Sequence, residues 1–97
     1  MDSYRKALKA FPDSDEAKVG LGIALVMSET GFKEAVSLLN AGVKTNPTNA
    51  QAWLALGMAY QNIGQDSAAK KPYTEYLKLQ PKGPTSDEIR AALAAMK

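Results

Sequence analysis

The sequence predicts an all-α chain in which antiparallel helix hairpins stack into a helical solenoid, and three observations predict it. Prolines stand at Pro12, Pro47 and Pro81, spaced 35 and 34 residues apart. Eight residues before each is a bulky side chain (Tyr4, Leu39 or Tyr73), and four before each is Leu8, Val43 or Leu77. Between the prolines, apolar residues recur at helical spacing, with one break per unit. A period near 34 residues holding two helices marks a helical solenoid.

Each element can be justified in chain order. Residues 2–10 read as the second helix of a unit whose first helix is missing. Asp13 to Glu16 form an Asp-x-x-Glu capping arrangement ahead of an apolar helix over residues 17–27. Gly31 breaks that helix, and residues 32–44 carry Ala35, Val36, Leu39 and Val43 as far as Pro47. Asn49 is an N-cap for a helix with Trp53, Leu56, Tyr60 and Ile63 at helical spacing. Gly64 ends it, and Asp66 caps a helix whose stripe is Ala69, Tyr73, Tyr76 and Leu77. Pro72 lies inside this last helix, where its missing amide predicts a bend near residues 68–71, either a tolerated one on a solvent face or one that shapes a groove wall. After Pro81 and the Gly83-Pro84 breaker, Thr85-Ser86-Asp87-Glu88 is a second capping box, opening a helix with Ile89, Leu93 and Met96. Its remaining faces are alanine and charge, as suits a solvating end cap. The expected layout is one domain over residues 1–97. It comprises a half repeat (2–12), two repeats (13–47 and 48–81) and a capping helix (85–97), six helices with no strands.

Composition narrows the function classes. The chain has 97 residues, of which 12 are basic and 10 acidic, with no histidine and no cysteine. The commonest general base, the commonest metal ligand and the thiol nucleophile are therefore absent. Serines and threonines lack a histidine to activate them, and no Ser-x-x-Lys pair falls in a plausible cleft. Glu29 and Glu34 bracket a helix start rather than pairing as catalytic acids, and Gly20-Leu21-Gly22 lies inside a helix with no strand before it. The expectation is a non-enzyme with no cofactor and no metal. Acids gather where helices begin (Asp15, Glu16, Asp66, Asp87) and bases where they end (Lys9, Lys44, Lys78, Lys97), as the helix macrodipole favours. Only Arg5-Lys6-Lys9 and Lys70-Lys71 are short basic groupings, too few for a nucleic-acid surface. No apolar run approaches a membrane span.

The motif Trp53-x2-Leu56-Gly57-x2-Tyr60, followed by Ala69-x3-Tyr73 and Pro81, resembles the tetratricopeptide repeat (TPR) signature, with Tyr73 where Phe is usual. The earlier unit keeps Leu21-Gly22-x2-Leu25, Ala35-x3-Leu39 and Pro47. It departs by Lys18 in the large-aromatic position and by one extra residue between its helices, at residues 28–31. Gly57 and Gly22 read as points of close helix approach, with Ala69 and Ala35 as small residues able to meet them.

The resemblance implies a concave surface lined by the first helices of successive repeats, where a protein or peptide partner binds. Carried over by position, that groove holds Glu16, Val19, Gly20, Ile23 and Met27 from one unit and Gln51, Leu54, Ala55, Met58, Gln61 and Asn62 from the next. Where some family members present cations to a terminal carboxylate, this chain has Val19, Ile23, Leu54 and Met58, so an apolar peptide or amphipathic helix is the expected partner. Two other occupants stay open: the terminal helix and another copy of the chain. Tyr4, Leu8 and Phe11 form a candidate self-association edge, by which the chain homodimerises or stacks on the rest of a longer protein. No nucleic-acid or membrane partner is expected. Localisation reads as cytoplasmic by default, or periplasmic if the chain is cut from a longer exported one.

Overall fold

The computed structural model describes residues 2–10 and 14–96, and of the first helix only the side chains of residues 5–7, 9 and 10. Six helices and no strands make up the regular structure of these residues: α1 (Asp2–Ala10), α2 (Asp15–Met27), α3 (Phe32–Thr45), α4 (Ala50–Asn62), α5 (Asp66–Leu79) and α6 (Pro84–Ala95). The self-association edge read at Tyr4, Leu8 and Phe11, and the cap read at Asp13, lie outside the described residues.

Helices α2 and α3 form one antiparallel hairpin, and α4 and α5 form the next. The hairpins stack through α3 on α4 and through α2 on α4. Helix α1 packs on α2, held to α3 by a bidentate ion pair from Arg5 to Glu34 at 3.0 and 3.1 Å. Leu21, Leu25, Leu39, Leu56, Tyr73 and Tyr76 fill the core between the hairpins. The result is an elongated stack of 41 × 25 × 20 Å.

Local chemistry explains most ends, with four corrections to the sequence reading. Asn49 caps α4 as expected, its Oδ1 accepting the Ala52 amide at 3.2 Å. At α2 the cap is Ser14, whose Oγ accepts the Ala17 amide at 3.3 Å; a hydroxyl one residue later serves where the Asp-x-x-Glu reading placed the cap. Asp66 is the first residue of α5, not its cap, and the Gln65 cap makes no side-chain bond. The expected box before α6 does not form either. Pro84 takes the first turn, where its missing amide is harmless, and Ser86 turns inward, 1% exposed, donating to the carbonyls of Gln80 and Lys82.

The fourth correction concerns the end of α2. Gly64 closes α4 at φ 80°, with its own amide bonded to Gln61 and that of Gln65 bonded to Tyr60, the Schellman arrangement. In the first hairpin the same two bonds run from Glu29 to Val26 and from Thr30 to Leu25. Glu29, not Gly31, therefore takes the left-handed place, at φ 53°. Gly31 instead serves as the N-cap of α3, and the additional residue of this loop lies between the two.

Helix α5 runs unbroken through Pro72. The proline does not face solvent as the sequence suggested: it is buried, because it points into the space between α5 and α3.

Candidate functional site

The signature residues join helices both within each hairpin and from one hairpin to the next. A Cβ added at Gly57 would stand 2.5 Å from Tyr73 Cδ1 and closer still to Cε1, so only glycine lets the ring lie flat on α4. The nearest side chain to Gly22 is likewise Leu39, whose Cγ would be 2.7 Å from an added Cβ. These large residues, rather than Ala69 and Ala35, are what the glycines accommodate most closely. Tyr73 donates its hydroxyl proton to Gln61 Oε1, and burial, then the charge of Asp66, pushes the phenol up from 10.0 to about 12. Trp53 donates its indole N–H to the Pro47 carbonyl at 2.7 Å, tying α4 to the end of the previous hairpin. Tyr60 Oη accepts from Asn40 Nδ2 at 3.0 Å, a second tie between α4 and α3.

The sequence profile of the tetratricopeptide repeat family matches residues 38–71, one full period of the chain. Those residues carry a tetratricopeptide repeat. The match runs from the middle of α3 through α4 into α5, and takes in Trp53 and Gly57. The peroxisomal targeting signal 1 receptor of Dictyostelium discoideum is similar: 33% identical over 69 residues, 71% of this chain. The chain spans only 10% of that receptor's length.

With the TPR geometry in place, the groove residues can be located. Residues on a helix are about 100° apart, so Gln51, Leu54, Met58 and Asn62 share one face of α4, opposite Trp53, Leu56 and Tyr60. Leu54 and Met58 are half-buried, and Gln51, Gln61 and Asn62 are exposed. Asn62 Nδ2 donates to the Met58 carbonyl at 2.8 Å. On α2, Ile23 and Gly20 are half-buried, Glu16 is exposed and Met27 is 73% exposed. Two positions are withdrawn. Val19 is 9% exposed and its Cγ2 lies over Gly42 of α3, so it belongs to the helix contact and not to the groove. Ala55 shares the Gln51 face but is 5% exposed, so it offers almost no surface to a partner.

The remaining strip (Ile23, Met27, Leu54 and Met58) lies on two helices that pack against each other, edged by Glu16, Gln51 and Asn62. Ile23, Leu54 and Met58 also pack in part against the core beneath them. Helix α6 packs on α5 but, among the described residues, comes within 8 Å (Cα to Cα) of no other helix. The contact that α2 makes with α4 is thus not repeated between α4 and α6. Sequence reasoning could not see this, because the periodicity of Ile89, Leu93 and Met96 says that α6 has an apolar side but not which helices it packs on.

Among the described residues no group of three acids is placed to hold a metal ion, and no helix is long and apolar enough to cross a membrane.

Proposed function

We propose that this chain is a non-catalytic recognition module. Its α2–α4 wall receives an apolar peptide segment, or the apolar face of an amphipathic helix, from a protein partner. The observation that carries the reading is the strip itself: Met27 at 73% exposure, with Ile23, Leu54 and Met58 half-buried and, among the described residues, no backbone contact from α6 to α2 or α4. Methionine and leucine adapt their rotamers to an apolar ligand, and such a side chain contributes about 1.5–3 kcal/mol when fully buried. The wall offers Glu16 and amides at its edges but no cation at the groove positions, which favours an uncharged or basic segment over an acidic one. A relative named as a receptor for a targeting signal supports a recognition role.

The test is a selection of amphipathic peptides against the folded chain, followed by titration of Leu54→Asp and Met58→Asp. Both residues are half-buried, so the helical spectrum should hold while affinity falls at least tenfold. Peptides that bind the variants as well as the parent refute the assignment. Light scattering addresses the rival reading, assembly with another copy: a dimer that Met58→Asp splits makes the wall a self-association surface.

A further inference from the structure

We propose that a cleft on the other side of the molecule, between α3 and α5, is a second docking site. Its occupant is a segment of a partner protein in which an acidic residue stands beside a large apolar one. The cleft has a volume of about 820 Å³, within the span of roughly 300–1,000 Å³ typical of ligand sites. Trp53, Leu56 and Tyr60 of α4 form its floor, the face of α4 opposite to the concave wall. The indole N–H of Trp53 is engaged by Pro47, and the Tyr60 hydroxyl already accepts from Asn40. The floor is therefore ring and aliphatic carbon, with Tyr60 half-buried and Trp53, Leu56 and the Pro72 of α5 buried. This part selects the apolar residue.

Charge selects the acidic one. Lys44 on α3 and Lys71 on α5 both line the cleft, both are exposed, and neither pairs with an acid among the described residues. The acid in the lining, Glu75, is held by Lys78 at 3.3 Å. Positive charge is in excess across an apolar floor, which strengthens its field relative to open water. The concave wall, with Glu16 and no cation at its groove positions, has the reverse character.

A third feature favours a peptide over a bare carboxylate. Pro72 has no amide hydrogen, so the carbonyl of Ala68, one turn earlier, lacks its helical donor, and both residues line the cleft. A partner's backbone N–H supplies what the proline withholds.

Two end-blocked peptides, Ac-Ala-Phe-Asp-Ala-NH2 and its Asn counterpart, separate charge from shape. Trp53 is the chain's single tryptophan, so its indole resonance gives one unambiguous signal that also reports an intact fold. The acidic peptide should move that resonance and the amides of Val43 and Glu75, leaving Ile23 and Gln51 still. The Asn peptide should bind several-fold more weakly. Lys44→Ala and Lys71→Ala, both at exposed positions, should each weaken the acidic peptide by about two- to fivefold, the range for an exposed ion pair. Equal affinity for the two peptides overturns the proposal. So do shifts confined to Ile23 and Gln51, or a Trp53 resonance that never moves.

Discussion

Replacing Gly57 by alanine sets two well-measured effects against each other. Helix propensity alone favours the change, since glycine is about 0.8–1 kcal/mol less favourable than alanine inside a helix. Packing opposes it. The added Cβ would stand 2.5 Å from Tyr73 Cδ1, whereas carbons rest at about 3.5–4.0 Å, so the ring or the helix must move by about 1 Å. Tyr73 is 1% exposed and its hydroxyl is fixed on Gln61, so it cannot swing aside. Overpacking a well-filled core costs about 1–3 kcal/mol, and a ring held at both ends places this case in the upper part of that range. The expected net loss is about 1–2 kcal/mol for Gly57→Ala, and more for Gly57→Leu. For a domain of this size that lowers the melting temperature by about 5–15 °C. Thermal and urea melts of the parent, Gly57→Ala, Tyr73→Leu and the double variant form a cycle. In the double variant the methyl occupies room left by the ring, and a favourable coupling of about 1 kcal/mol or more is expected. A Gly57→Ala protein more stable than its parent would falsify the argument, because propensity would then have outweighed the contact.

Three further outcomes follow from the same packing. Glu29→Gly should stabilise the chain by about 1 kcal/mol, since a side chain in the left-handed region costs roughly 1–2 kcal/mol and glycine relieves it; a urea midpoint that falls rules this out. Pro72→Ala restores a helical bond, a gain of about 3 kcal/mol, and removes about two buried methylenes at about 0.8 kcal/mol each. The net expectation is a gain near 1 kcal/mol, and a lower melting temperature would show that the proline's contacts with the cleft outweigh its missing amide. The Tyr73 phenol, pushed up to about 12, stays neutral in the fold while the unfolded chain ionises near pH 10. Its contribution, on the order of 2 kcal/mol, is whole below pH 10 and lost as pH rises toward 12. Subtracting the pH profile of Tyr73→Phe from that of the parent isolates it; superimposable profiles exclude it.

Much of the architecture is legible in the chain itself. The 35- and 34-residue proline spacing and the Trp53-Leu56-Gly57-Tyr60 run announce paired helices and their order. These are features of neighbours along the chain: a helix places residues three and four apart together whatever surrounds it. Asn49 as a cap and Gly64 as a stop belong to the same class, each a bond within one turn.

Whatever depends on a second helix had to wait for the tertiary structure. Val19 lies at a position that reads as groove, yet Gly42 opposite leaves a space that it fills. Pro72 reads as a solvent-side bend and is buried in the lining of the cleft between α3 and α5, a setting that the spacing within α5 cannot encode. The capping box of residues 85–88 gives way because Ser86 finds the Gln80 and Lys82 carbonyls instead. Helix α6 packs on α5 without repeating on α4 the contact that α2 makes there, a matter of how whole helices are placed. Periodicity sets which residues share a face. Only the balance of contacts between faces decides which of them are covered, since that energy comes from atoms far apart in the chain and is summed only when the hairpins meet.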